Sequence, residues 1–355
     1  MLKWIEIDTS AIANNIRLIK NKLDKTMLMA VVKADGYGHG AVRISQIAQR
    51  EKAEMLGVIN CDEGAILREN KIKMPIMILA PSIEEEIPLI TKNNLIPTVD
   101  RIEFAKKLSN YVQRKIKINI DIDTGLKRWG VDIKNIYEFI KRIKKLKNIE
   151  IFSISTHIAY TPYRNMVEAK EKLEMFSKIT YEIKKENPNI KIHVANSLLF
   201  LDFPDSYLDM VRIGNLIYGI YPSDVYLKKE NSPLKMGIKR PWRFFARIVS
   251  IKEVRKGESF GYASEIVATS DMKIATLEVG YSDGLGLFPL ENTYTITEGP
   301  TMWAVVKGKK AYFVSKPAIS HTLIDVTGID VNIGDIAELP IRRTAANKNI
   351  KRIYK

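Results

Sequence analysis

The sequence predicts an α/β protein: an N-terminal (β/α)8 TIM-type barrel followed by a smaller, mostly-β C-terminal domain. Three observations carry that prediction. From residue 2 to about residue 230, short apolar runs alternate with amphipathic stretches of helical period. A basic, Pro/Gly-punctuated segment, Lys228–Arg240, then interrupts the pattern. Beyond it, long helical patterns vanish, and β-branched and aromatic runs separated by turns take over.

The opening run Trp4-Ile5-Glu6-Ile7-Asp8 leads into a helix whose Ile12, Ile16 and Ile19 share one face. Strands are expected at Met27–Val32, Met55–Ile59, Ile76–Ala80, Ile116–Ile122, Ile149–Ser155, Ile190–Ala195 and Leu208–Val211. The stretches between read as helices, for example Asp62–Asn70 and Asn165–Glu186. Seven or eight such units fit a (β/α)8 barrel, a fold whose active sites lie at the C-terminal ends of the strands. The expected division is a barrel over residues 1–228, a linker over 229–240 and a β-rich domain over 241–355. Strands of that domain are expected at Phe244–Val254, Lys273–Glu278, Met302–Val306, Ala311–Val314 and Ile336–Leu339. The basic end, Arg342–Lys355, reads as partly unstructured.

With 355 residues and 46% hydrophobic content, the chain can bury one large core and a second smaller one. It has no apolar run long enough to cross a membrane and no signal-peptide pattern at its start, so no membrane partner is expected. The single cysteine, Cys61, excludes an internal disulfide, fits a reducing cytoplasm and reads as a small core residue. The net charge of +15 could attract nucleic acid or an anionic substrate. Much of it sits in solvated helix faces such as Lys141-Arg142-Ile143-Lys144-Lys145-Leu146-Lys147. No RNP-like, zinc-finger or helix-turn-helix pattern accompanies it, so no nucleic-acid partner is expected, and no metal site.

The most informative segment is Lys33-Ala34-Asp35-Gly36-Tyr37-Gly38-His39-Gly40. A lysine at the end of a buried strand has its amine out of bulk water. Desolvation favours the neutral, nucleophilic amine that a Schiff base requires. The glycines let the backbone turn sharply and approach a ligand closely. Taken alone, Lys33 reads rather as a strand-end lysine reaching for solvent; the whole octapeptide reverses that reading. A second segment, Asp209-Met210-Val211-Arg212-Ile213-Gly214-Asn215, puts an arginine just past a buried strand, where it needs partners. Ser197, in His193-Val194-Ala195-Asn196-Ser197, stands at a strand-to-helix junction as a helix cap or an anion contact.

These segments resemble alanine racemases, the fold-type III pyridoxal-phosphate enzymes, from about residue 2 into the 340s. The resemblance implies that Lys33 carries the cofactor and that Arg212 faces its pyridine nitrogen. It assigns Tyr37, Ser197, Gly214 and Asn215 to the cofactor phosphate and His157 to the cofactor ring. The run Val279-Gly280-Tyr281-Ser282-Asp283-Gly284 is similar to the family's Gly-Tyr-x-Asp-Gly, whose tyrosine is the second proton-transfer group and reaches the site from the other subunit of a homodimer. Lys33 and Tyr281 are thereby the expected catalytic pair. Arg128, with backbone amides near Ile319, is expected to hold the substrate carboxylate. Two segments depart from the family. Asp121 stands where many relatives carry a lysine, often carbamylated, and is another planar anion able to orient a guanidinium. Ala318-Ile319-Ser320 aligns with the family's Cys-Met-Asp. The implied activity is racemisation of alanine. A racemase for serine, lysine or ornithine, a barrel-type decarboxylase and a non-enzymatic cofactor-binding protein are the alternatives.

Overall fold

The computed structural model describes residues 1–220, 232–261, 264, 266–285 and 302–355. The first part of the expected linker, 229–231, lies outside them. The chain forms two compact units, one of Thr9–Arg240 and one of Met1–Asp8 with Pro241–Lys355.

The strand β1 (Lys3–Ile7) belongs to the second unit. The first unit contains β2 (Met27–Val31), β3 (Met55–Val58), β4 (Ile76–Pro81), β5 (Ile96–Val99), β6 (Ile116–Asp123), a two-residue β7 (Val131–Asp132), β8 (Ile149–Thr156), β9 (Lys191–His193) and β10 (Met210–Ile213). Apart from β7, which pairs on β6, they form one parallel sheet in the order β10-β2-β3-β4-β5-β6-β8-β9. The sheet curls nearly shut. Across the seam, Asp209 N donates to Ile192 O (3.1 Å) and Arg212 N to Ala195 O (2.9 Å). The expected α/β barrel is therefore present. Its β5 has no counterpart among the expected strands, because it is a four-residue run broken by Pro97, a residue that argues against a central strand.

Strand alternation sorts the interior into layers. Leu28, Ala30 and Val32 face outward into the core that also takes Ile12, Ile16 and Ile19 of the first helix. Met29, Met55, Met77, Ile96 and Met210 form an apolar plug in the lumen. Thioether side chains suit this irregular space. Further along β5 and β10, and on β6, β8 and β9, the inward positions are Thr98, Asn119, Asp121, Ser153, Ser155, His193 and Arg212, all buried. The apolar plug therefore carries a polar layer, and Lys33 follows β2 after the single residue Val32.

The second unit is a mostly antiparallel β structure. Its long strand β11 (Trp242–Val254) pairs with β1 and later strands. A two-stranded ribbon, β12 (Ser259–Phe260) and β13 (Ile266–Val267), is followed by β14 (Met272–Leu277), β15 (Trp303–Val306), β16 (Lys309–Tyr312), β17 (Thr322–Asp325), β18 (Ile336–Leu339) and β19 (Arg352–Tyr354). Two expectations are corrected here. The first residues, read as the opening of the barrel, form a strand between β11 and β19. The basic end, read as partly unstructured, supplies β19, which pairs with β1 in parallel from Ile5↔Arg352 to Ile7↔Tyr354. Both strands are short, and their partners are far away in sequence, so local pattern does not reveal them.

Candidate active site

Lys33, Tyr37, Arg128, His157, Ser197, Arg212, Gly214 and Asn215 line one cavity of about 250 Å³ at the C-terminal ends of the barrel strands. Eight residues picked from segments spread over the first unit thus meet in one place.

The turn that follows β2 positions the first two. Ala34, Asp35, Gly36 and Tyr37 have φ of 51°, 53°, 61° and 53°. A left-handed turn of this kind costs roughly 1–2 kcal/mol for each non-glycine residue. It persists because it is tied down: Gly36 N to Val32 O (2.8 Å), Gly38 N to Ala34 O (3.0 Å) and Gly40 N to Asp35 O (2.9 Å). Asp35 Oδ1 also accepts from Ala41 N (2.9 Å), and Glu63 accepts from Ala34 N (2.6 Å). The turn delivers the Tyr37 ring onto Tyr218, stacked at 4.7 Å between centroids. Burial pushes the Tyr37 hydroxyl up to about 12, so it remains a neutral donor. Burial, with Arg128 and Arg212 nearby, lowers the Lys33 amine from its ordinary value, against a raising pull from Glu63.

Arg212 lies within β10, not past it as the sequence suggested, because the strand runs two residues further than expected. Its guanidinium points into the lumen. Nη1 donates to His193 Nδ1 (2.7 Å) and His193 O (2.9 Å). Nη2 donates to Thr156 O (2.7 Å) and Val194 O (3.3 Å). Four of the five N–H donors are so engaged, and the remaining Nε–H belongs to a residue that lines the cavity. Desolvation lowers Arg212 to about 10, which leaves it charged at neutral pH.

The partners of Arg212 continue into a buried network. Because arginine can only donate, His193 must accept at Nδ1 and carry its proton on Nε2, which faces Asn119 Oδ1 (3.2 Å). Asn119 Nδ2 donates to Thr98 Oγ1 (3.1 Å) and Ser155 Oγ (2.9 Å). Ser155 Oγ donates to Asp121 Oδ1 (2.5 Å). The chain of donors ends on that carboxylate, which burial raises to about 6. His193 is held neutral by burial, and His157 is pushed down to about 3 by burial and then by the two arginines and Lys33.

Arg128 stacks on Trp129, its guanidinium carbon 3.7 Å from the ring centroid. Asp121 acts on Arg128 through space. At the other side of the cavity, Gly214 is glycine for a steric reason. A Cβ there would lie 2.4 Å from Tyr37 Oη. The cap of the helix Ser197–Asp202 is Asn196, whose Oδ1 accepts from Leu198 N (2.9 Å) and Leu199 N (3.1 Å). Ser197 is therefore not the cap, one of its two expected roles. A tyrosine hydroxyl held against a glycine backbone, a serine hydroxyl beside a capped helix start and a pinned guanidinium form a cradle for a flat, phosphate-bearing ring. The residues present fit pyridoxal phosphate.

In the second unit, Tyr281 is half exposed at the start of a short 3-10 turn, Tyr281–Asp283. This turn sits on the 318–320 segment: Tyr281 N donates to Ala318 O (2.9 Å), and Ser282 N and Oγ donate to Ile319 O (3.1 and 2.6 Å). A Cβ on Gly280 would come within 2.2 Å of Ala318 O. The tyrosine and the segment containing Ile319, separate readings in the sequence, are one structural piece.

Residues 7–222 match the alanine racemase N-terminal domain, and residues 242–353 match the alanine racemase C-terminal domain. The chain belongs to the alanine racemase family. It is 33% identical over 341 residues to the alanine racemase of Methanococcus maripaludis, covering 94% of this chain and 87% of that protein. It is 34% identical over 338 residues to the alanine racemase of Clostridium kluyveri, covering 94% and 83%. Among solved structures, alanine racemase of Clostridium difficile 630 superposes with a TM-score of 0.89 at 26% identity, covering 100% of this chain and 96% of that one.

Glu63, His193, Asn119 and Ser155 were not singled out from sequence. His193 was visible only as part of the Ser197 segment. Glu63 carried one local signal, its place three residues after Asn60 in a helix-capping pattern. Asn119 and Ser155 meet across strands, and nothing local marks them.

Proposed function

We propose that this chain is a pyridoxal-phosphate-dependent amino-acid racemase that interconverts L- and D-alanine. The observation that carries the reading is a strand-end amine, lowered by burial and two guanidiniums, in one cavity with a rigidly held Arg212. When bound, the cofactor supplies an electron sink that acidifies the hydrogen on the amino acid's α-carbon.

Lys33 would hold the cofactor, and its amine would move a proton at one face of the α-carbon. Tyr281 of the partner subunit serves the opposite face, so the working form is a homodimer with composite sites. Arg212, fixed and charged, would face the ring nitrogen with its Nε–H and weaken the electron sink, which would favour clean racemisation. His157 stays neutral against the ring. Tyr37, Ser197, Gly214 and Asn215 hold the phosphate through a hydroxyl pair and backbone amides. Arg128 and the backbone near Ile319 hold the substrate carboxylate, with Asp121 as the counter-anion of the two arginines. The substrate is a small amino acid, and the expected location is the cytoplasm. No helix of the described residues is long and apolar enough to cross a membrane.

The decarboxylase alternative needs a cysteine acid in the β unit. Cys61 lies in the barrel unit and donates to Glu86 Oε1 (3.1 Å), so that reading is not favoured. A chiral assay of purified protein on L-alanine, with borohydride reduction and peptide mapping, tests the proposal. D-alanine should accumulate and the reduced pyridoxyl label should map to Lys33. A label on another lysine overturns the assignment. Mixing inactive Lys33→Ala and Tyr281→Phe proteins should restore some activity, because a mixed dimer holds one intact site. No recovery despite subunit exchange argues for sites built within one chain.

A further inference from the structure

Arg128 and Arg212 both drive the Lys33 amine toward its neutral form, and Glu63 pulls the other way. Glu63 is the third residue of the helix Cys61–Glu69, whose N-cap is Asn60. In a capping box, a glutamate at this position returns to the N–H of the cap residue. Glu63 does something else. Its Oε2 accepts from Ile59 N (2.9 Å), one residue before the cap, and its Oε1 crosses to accept from Ala34 N (2.6 Å). Those amides leave the ends of two adjacent strands, β3 and β2. Ala34 is the neighbour of Lys33 and the first residue of the left-handed turn. A charged acceptor at such a distance makes one of the stronger hydrogen bonds. Neither oxygen serves the cap residue; one is spent on the end of β3 and the other on the lysine's own turn.

The other charged or titratable groups around Lys33 come from different strand ends: Asp121 on β6, Arg128 beyond it, His157 after β8, Arg212 on β10 and Tyr37 within the turn.

We propose that Glu63 is a positioning residue for Lys33: its carboxylate staples the left-handed turn to the end of β3 and holds a negative charge on the residue next to the lysine. Its catalytic meaning rests on Lys33 being the cofactor lysine; the physical claim does not, and the two fail separately.

The test reads the amine and the amide directly in full-length protein freed of cofactor. Competitive acetylation across a pH series, followed by peptide mass spectrometry, gives the midpoint for Lys33. Hydrogen exchange gives the protection of the Ala34–Gly38 segment. In Glu63→Gln the Lys33 midpoint should fall by about one pH unit, the scale of one nearby charge. Exchange at the turn should quicken about tenfold or more, as expected on losing a charge-assisted bond. Faster exchange with an unmoved midpoint leaves Glu63 a tie on the backbone with no hold on the amine and overturns the assignment, as does unchanged exchange whatever the midpoint does. Should Glu63→Gln fail to fold, Glu63→Asp decides, since it keeps the charge but draws it back by one methylene. Faster exchange with the parent midpoint supports the staple; unchanged exchange overturns it.

Discussion

Gly214→Ala adds one carbon at the narrowest point of the cradle. On the existing backbone it would lie 2.4 Å from Tyr37 Oη and 2.8 Å from Cζ, where carbon contacts normally sit at about 3.5–4.0 Å. Tyr37 cannot easily retreat. Its ring is stacked on Tyr218, which is buried and anchored by its own hydroxyl to Val31 O (2.9 Å). Its backbone is already in the left-handed region, at φ 53°. Overpacking of this kind costs about 1–3 kcal/mol. For a unit of this size each kcal/mol is worth about 2–4 °C of Tm, so calorimetry of cofactor-free protein should show a loss of about 2–12 °C. Cofactor affinity should fall by about tenfold or more, because the hydroxyl and the amide at 214 are pushed apart and each lost bond is worth on the order of 1 kcal/mol. Combining Gly214→Ala with Tyr37→Phe removes the worst contact, so the double variant should lose less than the sum of the single losses. Parent-like melting of Gly214→Ala, or strictly additive losses, would refute the steric reasoning.

Three other predictions concern charge and specificity. Burial raises Asp121 from 3.8 to about 6, so between about pH 4 and 6 the folded chain keeps a proton that the unfolded chain has released, and stability falls as pH rises through that window. Asp121→Asn should flatten this slope and be more stable than the parent above pH 6, by on the order of 2–3 kcal/mol, while binding substrate less tightly; a variant less stable at pH 8 in denaturant titration sinks the idea. His157 has the opposite sign: its folded value of about 3 lies below the ordinary 6.5, so stability is full above pH 6.5 and is lost as pH falls toward 3. His157→Gln should reduce that acid loss, and an unchanged acid limb would contradict a buried neutral ring. Ala318-Ile319-Ser320 lacks the family's anion, and a methylene-sized change in a pocket is worth about 1–3 kcal/mol, so kcat/KM should rank alanine first, serine detectable, lysine and ornithine poor. Lysine ranking above alanine would refute that order.

The grouping of the candidate residues was legible where it rides on local pattern. A buried apolar run ending in Lys33 and a glycine-rich octapeptide are features of contiguous residues, and Lys33 and Tyr37 of that segment line the cavity. What escaped is what depends on residues distant in sequence. Arg212 was seen as a costly buried cation needing partners, but Thr156 O and His193 are 56 and 19 positions away, and nothing nearby names them. The left-handed turn was anticipated only at its glycines, whereas Ala34, Asp35 and Tyr37 adopt it too, held by contacts from outside the segment. The strands at the two ends of the chain were missed because each is completed by the other.

That last pairing bears on how the chain is made. Asp8 N bonds to Pro241 O at 2.9 Å, and Ile7 lies opposite Trp242, so all of residues 9–240 are an insertion between two antiparallel neighbours. Closing a flexible loop of that length costs on the order of 5 kcal/mol in chain entropy. Folding of the inserted unit during translation removes most of that flexibility before β11 emerges. The strand β1 must nonetheless wait for its other neighbour, β19, which is made long after β11. A ribosome stalled before residue 352 would therefore carry a finished barrel and an unpaired edge at Lys3–Ile7, the segment to watch for chaperone capture or misassembly in nascent chains.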